Sequence, residues 1–468
     1  MASDDPSRRG SPVGDAHGGN ALWIDGRALT WDDLGRRVSA AVESLEARGL
    51  VGERPLGLLG DLKLDTLVWI HALIHCGTPM VLLHPRTTAD EHRRFLADCR
   101  VETVLDGPAP FGDGAAVATL DPLNPARPID PERPLAILRT SGSSGRPKGV
   151  VLSRRAFFAA ARASADNLGW RPDDRWLLSL PVAHVGGLSI LVRCLLGRRP
   201  AVVEPLERFD PLRVAELIDA RRITLLSVVP TMLRRLLDLP SWRPPVHLRA
   251  ILLGGAAAPK ALLERAADRR WPVLTTYGST ETCSQVATQR PGTVNRGQLG
   301  SGSPLSGWSV RIREGVVEVR GDALMSGYLV DGSLARPFTA DGFFPTQDLG
   351  HLDAHGHLHI LGRRDAVIIS GGENVHPTEV EAVLEHHPAI AEAAVHGVDD
   401  PEWGQRVVAS IVLEADADPS IDLTDGFTEH LAPHQRPREI RFVESLPRNR
   451  LGKLDRRALA ASWDSKTV

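Results

Sequence analysis

The sequence of 468 residues predicts an α/β protein with a large N-terminal domain and a smaller α+β C-terminal domain. Short apolar runs alternate with longer helical patterns at about 55–105 and again at about 151–290, which is typical of parallel sheets with right-handed crossovers. Short strands separated by Gly turns follow at about 295–362 and predict a small β-barrel. We therefore expect residues 21–364 to form two αβαβα-type subdomains plus the barrel, and residues 365–468 to form a separate domain.

The first alternating block opens with a hairpin signal, because Asp25-Gly26 separates two short apolar runs. Thr30 then precedes apolar residues at helical spacing and is expected to cap that helix. The other elements predicted for this block are strand 55–59, helix 64–76 ending at Gly77, strand 80–83, helix 89–99 and strand 101–105.

The second block and the C-terminal part follow the same reasoning. The elements predicted for the second block are helix 154–168, strand 175–180, a turn at Gly186-Gly187, helix 188–196, strand 201–203, helix 211–220, strand 225–229, helix 231–239 and strands 251–253 and 273–274. The elements predicted after it are strands 310–312, 316–319, 358–360 and 367–369, helix 377–386, strands 391–398 and 407–413, helix 423–431 and strand 439–443.

Composition limits the classes of function. The chain is 42% apolar and 24% charged, as in globular proteins, and its net charge of −3 gives no electrostatic basis for binding nucleic acid or an anionic membrane. No apolar run approaches the ~18 residues needed to span a bilayer. The polar segment 1–20 has no signal-peptide pattern and is expected to be a disordered tail. The four cysteines are scattered and form no C-x-x-C motif, which indicates free thiols in a reducing cytoplasm. The sequence leaves the oligomeric state open, and a homodimer is one possibility.

A loop rich in Gly and Ser occupies residues 140–149 between two predicted strands, with the sequence T-S-G-S-S-G-R-P-K-G. Small residues with free φ and ψ let backbone N–H groups surround a polyphosphate, and Lys148 adds a positive charge. The loop differs from a Walker loop because Lys148 is followed by Gly149 instead of Ser or Thr. A flexible surface turn is the alternative explanation. The candidate phosphate-binding residues before Lys148 are Thr140, also a catalytic candidate, Ser141, Gly142, Ser143, Ser144 and Gly145.

The segment T-Y-G-S-T-E-T at 276–282 is a second candidate site. Tyr277 can stack on a purine, Thr280 offers a hydroxyl group to a phosphate, and Glu281 supplies a hard oxygen ligand for Mg²⁺. Helix capping would explain the polar residues of this segment but not the Tyr-Gly pair. The backbone positions expected to lie against the nucleotide are Gly254, Gly255, Ala256, Gly278 and Ser279.

These motifs resemble, in the expected order, those of the adenylate-forming enzymes, which comprise acyl-CoA synthetases, peptide-synthetase adenylation domains and luciferases. The resemblance covers about 21–462 and includes T-Q-D-L-G at 346–350, G-R-R-D at 362–365 and P-R-N-R-L-G-K at 447–453. It implies that ATP and a carboxylic acid form an acyl-adenylate with Mg²⁺, and that a coenzyme A thiol then displaces AMP. It also implies that the smaller C-terminal domain is mobile and turns between the two steps.

The resemblance implies individual roles as well. Asp348 would accept hydrogen bonds from both ribose hydroxyls, Arg363 would reach the ribose, and Asp365 would be the hinge between the domains. Lys453 would swing over the active site and bind carboxylate and phosphate oxygens as a catalytic residue. The passage for the pantetheine thiol of coenzyme A is expected along Gly371 and Gly372.

The activated acid is indicated by residues 184–193 and 252–260, which resemble the 2-succinylbenzoate–CoA ligases of menaquinone biosynthesis. In the family, the position of His184 lies beside the acyl substrate, and the absence of Asp between 181 and 187 disfavours an amino acid. Arg86 and Arg193 could each pair with the second carboxylate of such an acid. Each is equally interpretable as a surface or helix-packing residue. The substrate-side candidates besides His184 are Gly187, Ser189, Arg193 and Arg86.

Three alternatives remain open. The chain could be a CoA ligase for another aryl or acyl acid, or it could load a carrier-protein thiol after adenylation. It could also be a nucleotide-binding regulator without turnover, although the presence of both Glu281 and Lys453 speaks against that.

Overall fold

The computed structural model describes residues 19–110, 128–140, 148–204, 209–293, 300–414, 417, 430–448 and 454–464. The predicted tail at 1–20 and the predicted helix 423–431 lie almost entirely outside these ranges. Within the described ranges, no helix combines the length and apolar character that a bilayer span requires.

The first part of the chain forms the predicted alternation of strands and helices. Its elements are β1 (Asn20–Ile24), β2 (Arg27–Thr30), α1 (Trp31–Ala47), β3 (Leu56–Leu59), α2 (Leu64–Cys76), β4 (Met80–Leu83), α3 (Ala89–Asp98), β5 (Val104–Leu105), β6 (Pro134–Thr140) and β7 (Lys148–Ser153). The predicted cap is confirmed, because the Thr30 hydroxyl accepts from the Asp33 N–H while the Asp33 carboxylate accepts from the Thr30 N–H. Gly77 ends α2 at φ 71°, a left-handed conformation that glycine adopts without strain.

The second part continues the alternation. Its elements are α4 (Arg154–Leu168), β8 (Trp176–Leu178), α5 (Val185–Gly197), β9 (Ala201–Val203), α6 (Pro211–Ala220), β10 (Leu225–Val228), α7 (Pro230–Leu237), β11 (Ala250–Leu253), α8 (Lys260–Asp268), β12 (Val273–Tyr277), β13 (Ala287–Thr288) and β14 (Ser303–Pro304). The predicted turn at Gly186-Gly187 is wrong, because both glycines lie in the first turn of α5. A Cβ at Gly187 would lie 2.3 Å from the Pro181 carbonyl oxygen, so glycine is needed for the helix to start against this loop.

The rest of the chain contains the remaining strands and helices. Its elements are β15 (Trp308–Arg313), β16 (Val316–Gly321), β17 (Gly327–Val330), β18 (Ser333–Ala335), β19 (Phe344–Leu352), β20 (Leu358–Arg363), a 3₁₀ turn (Arg364–Ala366), β21 (Ile368–Ser370), β22 (Glu373–Val375), α9 (Pro377–Leu384), β23 (Ile390–Asp400), β24 (Gly404–Leu413), β25 (Glu439–Phe442) and α10 (Arg456–Asp464). These strands form two smaller sheets, except β17 and β18, which join a seven-stranded sheet. The C-terminal sheet has the order β22-β21-β24-β23, with β25 parallel to β24.

The predicted barrel is corrected to an open four-stranded antiparallel sheet in the order β15-β16-β19-β20. The strands β17 and β18 do not belong to this sheet in the described part of the chain. Instead, β17 pairs with β7, and its backbone groups are satisfied there, with Gly327 opposite Val151 and Leu329 opposite Gly149.

Two large sheets form the N-terminal part. The seven-stranded sheet has the order β18-β17-β7-β6-β4-β3-β5, and the nine-stranded sheet has the order β14-β13-β12-β11-β10-β8-β9-β1-β2. The strands β3, β4, β5 and β6 are parallel, as are β8 to β12 with β1, which confirms the predicted parallel pairing for these strands. Both sheets are mixed, because β2, β7, β13, β14, β17 and β18 pair antiparallel. The helices α1, α2, α4 and α5 share one apolar core with strands of both sheets.

The layers follow from the alternation of side chains along the strands. In β4, Met80 and Leu82 face the shared core, whereas Val81 and Leu83 pack against Phe95 of α3 on the opposite face. The outer face of the nine-stranded sheet packs against α6, α7 and α8. The two sheets are therefore sandwiched between helices in the predicted αβαβα order.

A buried ion pair fixes the amino ends of neighbouring strands in the nine-stranded sheet. The Arg249 Nε lies 2.8 Å from Asp174 Oδ1, which also accepts a 2.8 Å hydrogen bond from the Thr224 hydroxyl. The Asp174 side chain is 0% exposed. Burial alone would raise the pKa of Asp174, but the hydrogen bonds from Arg249, the Arg171 N–H and Thr224 lower it below its usual value.

We expect Arg249→Ala to lower the free energy of unfolding by about 3 kcal/mol or more, because it leaves a buried carboxylate without its cation. The matched control is Arg213→Ala, which removes an ion pair of Glu204 whose arginine side chain is 46% exposed and should cost less than about 1 kcal/mol. Urea unfolding of both variants measures the difference. Equal losses would show that the Arg249–Asp174 pair is not a stabilising contact of the nine-stranded sheet.

Candidate active site

The carboxyl ends of the two large sheets meet across a narrow gap. Gly60, which follows β3, approaches the loop after β8 so closely that a Cβ on it would lie 2.9 Å from the Ala183 Cβ. In open α/β sheets, ligands bind beyond the carboxyl ends of the strands. This gap and the four-stranded sheet beside it contain the described candidate residues from the N-terminal part of the chain.

Tyr277, Asp348 and Arg363 come together although they lie on three different strands. The Tyr277 hydroxyl donates to Asp348 Oδ2 at 2.7 Å, and Arg363 Nη1 lies 3.7 Å from Asp348 Oδ1. Arg363 is directly opposite Asp348 in the register of β19 and β20. Burial raises the pKa of Asp348, while the Tyr277 hydroxyl and the Arg363 charge lower it. Burial and the Asp348 charge raise the pKa of Tyr277 well above its usual value, so the phenol stays protonated.

The loop after Tyr277 is tightly folded. A Cβ on Gly278 would lie 1.5 Å from the Ser284 carbonyl oxygen, so only glycine fits there. Cys283 and Ser284 have positive φ values of 48° and 96°, and the Ser279 N–H donates to the Thr282 hydroxyl at 2.8 Å. The clearance at Gly278 therefore serves the backbone of this loop, which also carries Ser279, Thr280 and Glu281.

Glu281 and Lys148 meet at Tyr328, which the sequence analysis missed. The Tyr328 hydroxyl donates to Glu281 Oε1 at 2.9 Å, and Lys148 Nζ lies 4.9 Å from the centre of the Tyr328 ring. A signal was present in the composition, because the chain contains only two tyrosines. Each of the two donates its hydroxyl hydrogen bond to a candidate carboxylate.

The phosphate-loop candidates are only partly described. Thr140 ends β6 and Lys148 starts β7, and the two residues face each other in an antiparallel pair. The candidates from Ser141 to Gly145 lie outside the described residues. Gly254 follows β11 and approaches Thr276 so closely that a Cβ would lie 2.7 Å from its Cγ2. Gly255, at φ 81°, and Ala256 are exposed after that strand.

His184 immediately precedes α5, and its ring packs against that of His84, with 4.7 Å between the ring centres. His84 follows β4 of the other sheet and was also missed. Its Nδ1 accepts the Arg86 backbone N–H at 3.1 Å, which places the proton of the neutral ring on Nε2. The Arg86 side chain is exposed, and its backbone N–H contacts the His84 ring.

Arg193 of α5 is a buried cation beside this site, with 3% of its surface exposed. Its Nη2 donates to the Ser284 hydroxyl at 3.2 Å, and its guanidinium lies 5.5 Å from the Trp176 ring centre. Within the described part of the chain, no carboxylate forms an ion pair with it, and its Nε has no hydrogen-bond partner. Burial lowers the pKa of Arg193 to about 10, so the side chain stays charged at neutral pH.

The other substrate-side candidates on α5 are Gly187 and Ser189. Both are buried, and the Ser189 hydroxyl donates to the Gly186 carbonyl oxygen at 3.2 Å within the helix. This hydroxyl is therefore occupied by the helix backbone in the present arrangement. Gly187 packs against the Pro181 carbonyl, as described above for the start of α5.

The junction with the C-terminal unit is an ion pair. Arg363 contacts Asp365 through Nε–Oδ1 and Nη2–Oδ2, each at 3.1 Å. Gly371 and Gly372 have φ values of 62° and 87° in the turn between β21 and β22. A Cβ on Gly371 would lie 2.9 Å from the Trp403 ring, so the turn is closed on that side. Lys453 lies outside the described residues.

Two protein-family models match most of the chain. A family model described as "AMP-binding enzyme" matches residues 15–329, and one described as "AMP-binding enzyme C-terminal domain" matches residues 379–453. The chain belongs to the AMP-binding, adenylate-forming family. The acyl-CoA synthetases of this family are AMP-forming acid–thiol ligases. The chain is therefore an adenylate-forming acyl-CoA ligase.

Two similar curated proteins are 2-succinylbenzoate–CoA ligases. The one from Bacillus licheniformis is 36% identical and aligns over 92% of this chain and 94% of its own length. The one from Listeria monocytogenes serotype 4b is 34% identical and aligns over 94% of this chain and 95% of its own length.

Similar solved structures include o-succinylbenzoate CoA synthetase from Bacillus subtilis with its acyl-adenylate intermediate, at TM-score 0.82 and 32% identity, covering 94% of this chain and 95% of that one. The same enzyme with ATP and a magnesium ion gives TM-score 0.81 and 31% identity, covering 93% and 95%. ATP-bound MatB from Rhodopseudomonas palustris gives TM-score 0.85 and 28% identity, covering 95% and 96%. Fold likeness therefore extends to differently named enzymes and does not by itself identify the acid.

The described residues fit a magnesium ion held together with a nucleotide. One carboxylate oxygen of Glu281 accepts from Tyr328, and the carboxylate is a hard oxygen donor of the kind Mg²⁺ prefers. Among the described residues, no group of three or more His, Cys, Asp or Glu is arranged to hold a metal. Mg²⁺ is commonly bound by one or two carboxylates together with substrate phosphates, which matches a single Glu281.

We expect Asp348→Ala to weaken AMP binding about tenfold or more, because hydrogen bonds to a charged acceptor contribute about 1.5–3 kcal/mol each. The matched control is Asp341→Ala, which removes a carboxylate that lies in the turn before β19 and pairs with Arg311 of β15, and whose side chain is 51% exposed. Titration calorimetry with AMP measures both variants. An unchanged dissociation constant for Asp348→Ala would remove this carboxylate from the nucleotide site.

Proposed function

We propose that this chain converts 2-succinylbenzoate to its coenzyme A thioester through an acyl-adenylate. The observation that carries the proposal is Arg193, a buried guanidinium without a carboxylate partner among the described residues. A buried charge without a counterion is costly, and a substrate with a second carboxylate would supply that counterion. The two curated relatives described above are named for this dicarboxylic acid and align over nearly the whole chain, which supports the same conclusion.

The placement of Arg193 is consistent with that role. It lies on α5, the helix that begins after His184, and it contacts Ser284 in the loop that carries Glu281. The acid would therefore lie between α5 and the nucleotide, with His84 and His184 on the side of the other sheet. Its activated carboxylate would face the phosphates, and the other carboxylate would face Arg193.

In the first step, an oxygen of the activated carboxylate attacks the α-phosphorus of ATP, and pyrophosphate leaves. Charge increases on the phosphate oxygens during this step, so catalysis consists mainly of positioning and electrostatic stabilisation. Tyr277 would stack on the adenine, and Asp348 and Arg363 would bind the ribose. Lys148 and Lys453 would neutralise the phosphates, and Mg²⁺ held at Glu281 would supply further positive charge to them.

In the second step, the coenzyme A thiol attacks the acyl carbon, the bond from that carbon to the AMP oxygen breaks, and AMP leaves as the thioester forms. The C-terminal unit would turn about Asp365 between the steps, withdrawing Lys453 and bringing Gly371 and Gly372 to the thiol passage. The Arg363–Asp365 ion pair at this junction would have to rearrange for such a rotation.

The experiment that tests the function is pyrophosphate release with a panel of acids, measured with and without coenzyme A. We expect 2-succinylbenzoate to give the highest kcat/KM and to yield its thioester. If another aryl or acyl acid gives the highest kcat/KM, the proposed substrate is wrong and that acid takes its place. If pyrophosphate is released but no coenzyme A thioester forms, and the acyl group is transferred to a carrier-protein thiol instead, coenzyme A is not the acceptor.

We expect Arg193→Met to raise KM for the dicarboxylic acid about tenfold or more, because it removes a charge-assisted contact while keeping an apolar side chain of similar length. A monocarboxylic analogue that lacks the second carboxylate is the control, and its KM should change little. Steady-state kinetics with both acids makes the comparison. Equal changes for the two acids would exclude Arg193 from the carboxylate pocket.

We expect Lys453→Ala to slow adenylation by ~10²-fold or more, since it removes a charge that stabilises the transition state. Thioester formation from preformed acyl-adenylate should remain largely intact. Lys63→Ala is the control, because the Lys63 side chain is 75% exposed and pairs with Asp61. Equal loss in both half-reactions would contradict the two-step use of the C-terminal unit.

A further inference from the structure

Tyr328 lies where three parts of the candidate site meet. Its strand β17 pairs with β7, and Tyr328 is directly opposite Val150, two residues after Lys148. The Lys148 ammonium lies 4.9 Å from the centre of the Tyr328 ring, within the range of a cation–π interaction. The first contact of Tyr328 is therefore with the strand that ends the phosphate loop.

The second contact is with Glu281. The Tyr328 hydroxyl donates to Glu281 Oε1 at 2.9 Å, and the Met325 N–H donates to the Glu281 carbonyl oxygen at 2.8 Å. The segment before and at β17 thus holds both the side chain and the backbone of Glu281.

The third contact fixes the ring itself. Tyr328 meets Phe344 edge to face, with 6.5 Å between the ring centres, and Phe344 meets Phe338 in the same way at 6.5 Å. Phe344 starts β19, the strand that carries Asp348. The ring orientation therefore depends on the four-stranded sheet, while the hydroxyl and the ring face serve residues of the two larger sheets.

We propose that Tyr328 is a positioning residue for the adenylation step, which orients the Glu281 carboxylate through its hydroxyl group and holds the Lys148 ammonium over its ring. This rests on the proposed function, in which Glu281 binds Mg²⁺ and Lys148 binds phosphate. With Oε1 engaged by Tyr328, the carboxylate is fixed in one rotamer, and Oε2 is the oxygen left for the ion. The alternative is that Tyr328 only fills the space between the sheets.

The test is Tyr328→Phe, which keeps the ring for Lys148 and Phe344 and removes only the hydroxyl group. We expect the Mg²⁺ concentration at half-maximal ATP binding, measured by calorimetry, to rise about tenfold, the equivalent of losing one hydrogen bond to a charged acceptor. Thioester formation from preformed acyl-adenylate and the thermal midpoint should change little. A residue that only fills space would not alter the Mg²⁺ dependence.

A double-mutant cycle with Glu281→Gln separates the two explanations. If Tyr328 acts through Glu281, adding Tyr328→Phe to Glu281→Gln should produce no further change in the Mg²⁺ dependence. Additive effects, or a wild-type Mg²⁺ dependence in Tyr328→Phe, would overturn the proposal.

The same cycle distinguishes failure of this inference from failure of the proposed function. If the Mg²⁺ dependence shifts in Glu281→Gln but not in Tyr328→Phe, only the role proposed for Tyr328 is wrong. If Glu281→Gln itself leaves the Mg²⁺ dependence unchanged, the assignment of Glu281 fails, and the inference fails with it. Tyr328→Leu, which also removes the ring, should weaken ATP binding beyond Tyr328→Phe, because Lys148 then loses its contact.

Discussion

The close approach of the two large sheets at their carboxyl ends is the constraint on which the site depends. The helices α1, α2, α4 and α5 are packed between the sheets in one continuous apolar core, so the distance between the sheets is set by that packing. The near contact of Gly60 with Ala183 and the packing of His84 on His184 follow directly from it. A larger side chain at Gly60 would separate the two walls of the proposed acid pocket.

The third sheet completes the site from the side. This four-stranded sheet contributes Asp348 and Arg363. The strand β17, which pairs with the seven-stranded sheet instead, contributes Tyr328. Each of the two tyrosines of the chain donates a hydrogen bond to one carboxylate of the candidate site. The candidate nucleotide site is thus held by hydrogen bonds between sheets, and its geometry depends on all three sheets being in place.

Arg193 illustrates how electrostatics restricts the ligand. A guanidinium that is nearly inaccessible to solvent and remains charged at neutral pH is expensive to bury. Contacts with Ser284 and Trp176 offset part of that cost, but neither supplies a negative charge. This imbalance is a physical reason to propose an anionic group on the substrate, and it is independent of the names of related enzymes.

The sequence by itself determined the local elements and the order of the motifs. The Thr30 capping box, the helix end at Gly77 and the strands that flank the phosphate loop all follow from local periodicity and turn chemistry. Only the tertiary structure decided that α5 starts at Val185, that β17 pairs with β7, that Tyr328 and His84 contact candidate residues, and that Arg193 is buried. The physical reason is separation along the chain: the Tyr328–Glu281, Tyr277–Asp348 and Arg193–Ser284 contacts join residues 47, 71 and 91 positions apart. Such contacts depend on how the sheets pack against each other, and local sequence patterns carry no information about that packing.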